Sequence, residues 1–172
     1  MARNNIVLYQ PEIPQNVGNI MRTVLAGDAF LHLIEPLGFS LASRYLRRSG
    51  VDYIDKVEYR LYPNLDEFFR ENAGEYYFLT RYGERAFSDG ELANLEKNYY
   101  FIFGKESTGI PKEILKPRLD RCIRLPMSDK VRALNLSNTV AIVLFEALRQ
   151  QGYPNLSRRE PACFKGSNYL RE

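Results

Sequence analysis

Tyr99-Tyr100-Phe101-Ile102-Phe103 runs straight into Gly104-Lys105-Glu106-Ser107-Thr108-Gly109-Ile110-Pro111. An unbroken run of aromatic and branched residues reads as a strand buried on both faces, the mark of a central strand in a parallel sheet. Two glycines close behind it make a tight loop that backbone or ligand can approach, and Pro111 suits the first turn of a short helix. In α/β folds the ligand crevice opens beyond the carboxyl ends of the strands. The loop after Phe103 is therefore the first place to look for a site.

Outward from this strand the chain alternates. Asn5–Tyr9 is an apolar strand stopped by Pro11 and Pro14. Asn16 is the expected N-cap of a helix carrying Val17, Ile20, Met21, Val24 and Leu25, with Gly27 at its exit. Phe30–Ile34 is a second strand, and a basic helical stretch with Arg44, Arg47 and Arg48 follows. Val57–Leu61 alternates as a third strand, Asn64–Glu71 is a helix opened by a cap and acids, and Tyr76–Thr80 is a further strand. Downstream, Arg121–Leu125 is a strand closed by Pro126. Ser137 or Asn138 caps a helix to about Gln151 whose faces are apolar almost all round, so burial on more than one side is expected. Strands alternating with helices predict an α/β fold, a mostly parallel sheet flanked by helices, in a single domain over residues 1–172.

Composition narrows the chemistry. The 172 residues are 45% apolar and 26% charged, as in a soluble globular protein. No apolar run approaches 18 residues and no long apolar segment follows the N-terminal charge, so a cytoplasmic protein without membrane span or signal is expected. His32 is the only histidine, which excludes a His-based triad or a His pair. It sits within an apolar strand and reads as structural. Cys122 and Cys163 have no CxxC spacing, and no metal site is expected. Gly104-Lys105-Glu106-Ser107 is not a P-loop, and there is no GxGxxG. Charge is uneven: residues 1–104 carry 11 Lys/Arg against 14 Asp/Glu, residues 105–172 carry 13 against 7. Such asymmetry fits an anionic partner or a solvated basic face.

Three segments carry candidate chemistry. Pro14-Gln15-Asn16-Val17-Gly18-Asn19-Ile20-Met21-Arg22-Thr23 spaces Asn16, Asn19 and Arg22 three apart at a helix start, where polar groups either cap or converge on a ligand. The Gly104–Gly109 loop adds Glu106. Arg124-Leu125-Pro126-Met127 through Arg132-Ala133-Leu134-Asn135-Leu136-Ser137-Asn138 is a long polar loop between a strand and the last helix, more often functional than a plain connection.

In order and spacing these segments resemble the three motifs of the SPOUT methyltransferases, most closely the small single-domain subfamily that 2′-O-methylates the wobble nucleotide 34 of tRNA. The resemblance extends from Ile6-Val7-Leu8-Tyr9 through His32–Phe39 and Leu46–Gly50 to Glu146–Gln150. It implies a deep C-terminal trefoil knot over roughly 76–152, a tail over 153–172, and S-adenosylmethionine held in the knot by backbone and apolar contacts. Carried over, the cofactor positions are Leu79, Gly104, Leu125 and Ala133, with Thr80, Met127 and Leu134 beside them; many members have Ser where Ala133 stands. The implied catalytic set is Arg22, Asn16, Glu106 and Asn135. Arg22 would position the nucleotide phosphate, since a guanidinium is too weak an acid to serve as base. Asn16 would orient Arg22, Glu106 would hold Arg22 or its own loop, and Asn135 would contact the reacting nucleotide. The resemblance further implies a homodimer packed through the last helix. It also implies a tRNA anticodon stem-loop partner met by Lys105, Lys112, Arg132 and the Arg44–Arg48 cluster. The competing expectations are a fold-sharing RNA-binding or assembly factor without turnover, a ribose methyltransferase acting on another RNA, and a small-molecule α/β enzyme.

Overall fold

Strands whose two faces are both apolar can be stable only if both faces are covered, and that requirement organises the chain. The computed structural model describes residues 3–42, 54–166 and 169–170. The expected basic helix at Arg44, Arg47 and Arg48 lies outside the described residues.

Seven strands form one sheet: β1 (Asn4–Tyr9), β2 (Phe30–Ile34), β3 (Tyr59–Tyr62), β4 (Glu75–Leu79), β5 (Arg85–Ala86), β6 (Tyr99–Phe103) and β7 (Cys122–Arg124). Their order is β3-β2-β1-β6-β4-β7-β5 and every pairing is parallel. Register brings the strand ends level: Leu8 pairs with Phe103, Phe103 with Leu79, and Leu79 with Ile123. Four elements therefore stop along one line, and their loops leave the sheet side by side.

One face carries α1 (Pro14–Ala26) and the last helix; the other carries α2 (Leu65–Glu71) and the short α3 (Lys112–Leu115). Beneath α1, Val17, Ile20, Met21 and Val24 pack with Ile6, Leu31 and Phe101. From the last helix, α4 (Leu136–Gln150), come Val140, Val143, Leu144 and Ala147. On the opposite face Val7, Phe68, Phe78, Ile102 and Leu115 form the second core. A side chain of this size contributes about 1.5–3 kcal/mol when fully buried, so the alternating parity of β1 and β6 fixes both layers at once.

Several expectations need correction. Asn16 does not cap α1: the helix opens at Pro14 with Ile13 in the cap position and no side-chain cap of its own. Instead the backbone N–H of Ile13 itself donates to Glu106, 93 residues further along the chain, which no local rule could anticipate. Neither Ser137 nor Asn138 caps α4; Asn135 does, its Oδ1 accepting from Ser137 N at 2.9 Å and Ser137 Oγ at 2.7 Å. Within this chain α4 is buried on one side only, and Ile142 and Phe145 stand 39% and 42% exposed. The third strand starts two residues later and ends one later than its alternation suggested, and the two-residue β5 has too little pattern to be read at all.

Candidate active site

The loops leaving β4, β6 and β7 enclose, with the start of α1, a cleft of about 510 Å³. Each wall has a local cause. Thr80 N donates to Ile123 O at 3.0 Å, tying the turn after β4 to β7. After β6 the chain closes on itself: Lys105 N donates to Gly109 O at 3.2 Å and Gly109 N to Lys105 O at 2.9 Å. This closure requires glycine twice. Gly109 sits at φ +74°, and a Cβ on Gly104 would fall 2.2 Å from the carbonyl carbon of Gly109.

All seven positions expected to hold the cofactor, Leu79, Thr80, Gly104, Leu125, Met127, Ala133 and Leu134, line this cleft. Asn16, Glu106 and Asn135 line it as well, and they touch one another. The Glu106 carboxylate accepts from Glu12 N at 2.9 Å, Ile13 N at 3.3 Å and Asn16 Nδ2 at 3.0 Å. Asn16 Oδ1 in turn accepts from Asn135 Nδ2 at 3.0 Å. Since Asn135 also caps α4, a single chain of hydrogen bonds joins the loop after β6, the start of α1 and the start of α4. Asn16 is 5% exposed and lies within this chain. Arg22 is not a wall of the cleft. It lies six residues along α1 from Asn16, about 9 Å of helical rise, with its side chain exposed.

Sequence reasoning missed the partner that doubles this latch. Glu12 Oε2 accepts from Ser107 N at 2.9 Å and Oε1 from Ser107 Oγ at 2.8 Å. These two bonds hold the Glu12 carboxyl below its ordinary range, the hydroxyl contributing most. The signal was available, because Glu12 lies in the loop after β1, one of the strand ends the fold singles out. Arg81 and Tyr82, in the turn after β4, were missed likewise and both line the cleft. Lys105 and Arg132 add positive charge to its walls, whereas the Glu106 carboxylate there has its oxygens occupied by donors.

His32 takes no part. It is 3% exposed, with Nδ1 3.1 Å from the Tyr62 hydroxyl and Nε2 3.1 Å from Asn5 Oδ1. Burial first, and Arg60 second, push its pKa down to about 3, so it is a neutral structural group. Among the described residues no three His, Cys, Asp or Glu side chains are grouped to hold a metal ion, and no helix is long and apolar enough to cross a membrane.

A sequence profile described as the SpoU rRNA methylase family matches residues 3–145. The chain belongs to this family. A Listeria innocua protein, provisionally named a tRNA (cytidine(34)-2'-O)-methyltransferase, is 51% identical over 163 residues, spanning 91% of this chain and 96% of its own. The crystal structure of an RNA methyltransferase, so named provisionally, from Bacillus anthracis superposes with a TM-score of 0.85 at 50% identity, over 90% of this chain and 98% of that one. A second solved structure, described under the 2-OH methylation of C/U34 on tRNA, gives 0.79 at 38% identity, over 87% and 96%. The SpoU fold thus accounts for the parallel sheet, and its family places the resemblance read from the three motifs on firm ground.

Proposed function

We propose that this SpoU-family chain methylates the ribose 2′-hydroxyl of nucleotide 34 in tRNA, with S-adenosylmethionine as donor. One observation carries the reading: the three motif segments, far apart in sequence, meet at one cleft and are joined there through Glu106, Asn16 and Asn135. The names of the Listeria relative and the C/U34 structure support the substrate, and solved structures of this fold hold the cofactor.

The residues fit that cofactor. A cleft of about 510 Å³ is of the size small-molecule sites have, and Leu79, Leu125, Met127 and Leu134 give it apolar walls for a purine ring. The tight loop at Gly104 lets main chain line the floor without side chains. Ala133 offers no hydroxyl, so this wall contributes backbone and methyl contacts only.

When bound, S-adenosylmethionine supplies a methyl group on a sulfonium, an electrophile that needs no further activation. What the chain must add is alignment of the ribose oxygen and a route for one proton. Glu106 accepts three hydrogen bonds, which makes it a positioning residue. It fixes the loop after β6 against α1, and Asn16 passes that constraint to Asn135 at the cleft wall. Arg22, outside the cleft, reaches a phosphate of the incoming nucleotide, and the hydroxyl proton leaves to phosphate or solvent. Lys105 and Arg132 at the cleft, with exposed Lys112 beyond it, give the anticodon stem-loop a basic surface.

Two further features belong to this reading. The exposed Ile142 and Phe145 on α4, with Leu134 41% exposed at the cleft, support a homodimer packed through that helix. The convergence of the loops after β4, β6 and β7 on one cleft supports a trefoil knot within 76–152. The test of the function is transfer of labelled methyl from S-adenosylmethionine to total tRNA by the wild-type chain and by Arg22→Ala. Transfer that is lost in the variant supports it; no transfer by a wild type that binds the cofactor overturns the substrate.

A further inference from the structure

Tyr82 is an anomaly on the surface of the cleft. The residue is 71% exposed, it belongs to neither core, and it lines the cleft without being one of the seven positions expected to hold the cofactor. Among the described residues the other strongly exposed aromatics, Phe164 at 72% and Tyr169 at 56%, lie in the C-terminal segment and do not line the cleft.

The ring is held ready rather than left loose. Arg81 places its guanidinium carbon 4.7 Å from the ring centroid and donates to the Tyr82 hydroxyl. Beneath the pair the turn is pinned: Gly83 N donates to Thr80 O and Tyr82 N to Thr80 Oγ1, both at 3.3 Å. The backbone at Gly83 lies against β7 so closely that a Cβ would sit 2.7 Å from the carbonyl carbon of Ile123. An exposed aromatic ring, backed by an arginine and fixed on a rigid turn, is the device by which proteins take up an unstacked base of single-stranded RNA. The ordering cost of such a contact has been met in advance.

We propose that Tyr82, backed by Arg81, is the stacking platform for the nucleobase of the nucleotide being methylated. This rests on the proposed function, since it presumes an RNA loop at the cleft. Stacking on the base, rather than hydrogen bonding to its edge, makes the platform tolerant of pyrimidine identity. It leaves the ribose free to face the methyl donor.

The test uses the full chain as wild type, Tyr82→Ala and Tyr82→Phe, with an anticodon stem-loop RNA and its counterpart abasic at nucleotide 34. Fluorescence anisotropy reads RNA affinity, and calorimetry reads the affinity for S-adenosylmethionine. Tyr82→Ala is expected to weaken the intact RNA by about tenfold or more, the scale of one base–aromatic stack, with Tyr82→Phe near wild type. The abasic RNA should bind wild type and Tyr82→Ala equally, and their cofactor affinities should agree within about twofold. Three results overturn the platform: unchanged affinity of Tyr82→Ala for intact RNA, an equal loss on the abasic RNA, or a loss confined to S-adenosylmethionine. A wild type that binds neither RNA overturns the substrate reading itself, a failure distinguishable from these three.

Discussion

Replacing Glu106 by alanine removes the acceptor of three hydrogen bonds, from Glu12 N, Ile13 N and Asn16 Nδ2, while leaving the three donors in place. The bond to Ile13 is exposed and water can take it over; those to Glu12 and Asn16 are part-buried. A hydrogen bond to a charged group contributes about 1.5–3 kcal/mol, and partial access of water reduces each of the two, so a loss of about 2–4 kcal/mol is expected. That is a large share of the roughly 5–15 kcal/mol that holds a domain folded. Glu106→Gln keeps one acceptor oxygen but turns an amide nitrogen toward the donors, so about half the loss is expected. Urea unfolding measures the stability, and calorimetry of S-adenosylmethionine measures the cleft, whose affinity should fall in the same order. If Glu106→Ala unfolds within about 0.5 kcal/mol of wild type and binds the cofactor as well, the hydrogen-bond chain does not hold the site together.

Gly104→Ala should be more severe, because a Cβ 2.2 Å from the backbone of Gly109 forces the loop open; loss of cofactor binding with a lowered melting temperature is the expected outcome. His32, neutral with a pKa of about 3 against an ordinary 6.5, ties stability to pH. The unfolded chain binds the extra proton, so this contribution is complete above about pH 6.5 and is lost as pH falls toward 3; His32→Gln should flatten that part of the urea-midpoint profile between pH 7 and 4. Phe145→Lys places a charge on the exposed apolar side of α4, where Phe145 is 42% exposed; if the proposed dimer packs through that helix, the variant should sediment as a monomer in analytical ultracentrifugation where the wild type sediments as a dimer, with unchanged helicity.

The architecture was legible because its signals are local. Tyr99–Phe103, Asn5–Tyr9 and Phe30–Ile34 announce buried strands through mostly apolar composition, and α4 announces itself through its terminal Gly152 and Pro154. Glycines after Phe103 marked the cleft loop. The positions expected to hold the cofactor, by contrast, came from resemblance to a family, and the structure brings all seven to one cleft. What stayed illegible is what the chain supplies from a distance. The chain leading into α1 is held by a carboxylate from the loop after β6, whereas a local rule gave Asn16 a capping role; its amide instead joins Glu106 to Asn135. Glu12 and Ser107 pair across 95 residues, and neither has a motif. A helix apolar all round looks buried all round, but burial of Ile142 and Phe145 needs a surface that a single chain does not provide.

The central claim is methyl transfer to one ribose. Total tRNA from a strain lacking this enzyme, incubated with S-adenosylmethionine and the wild-type chain, should gain 2′-O-methylated cytidine or uridine derivatives. Nucleoside mass spectrometry after ribonuclease digestion should place the gain in the anticodon-loop fragment alone, and Arg22→Ala should abolish it. Methylation appearing in another fragment, or undiminished in Arg22→Ala, contradicts the assignment of nucleotide 34 or the role of Arg22. No methylation by a protein that binds S-adenosylmethionine contradicts the activity on tRNA altogether.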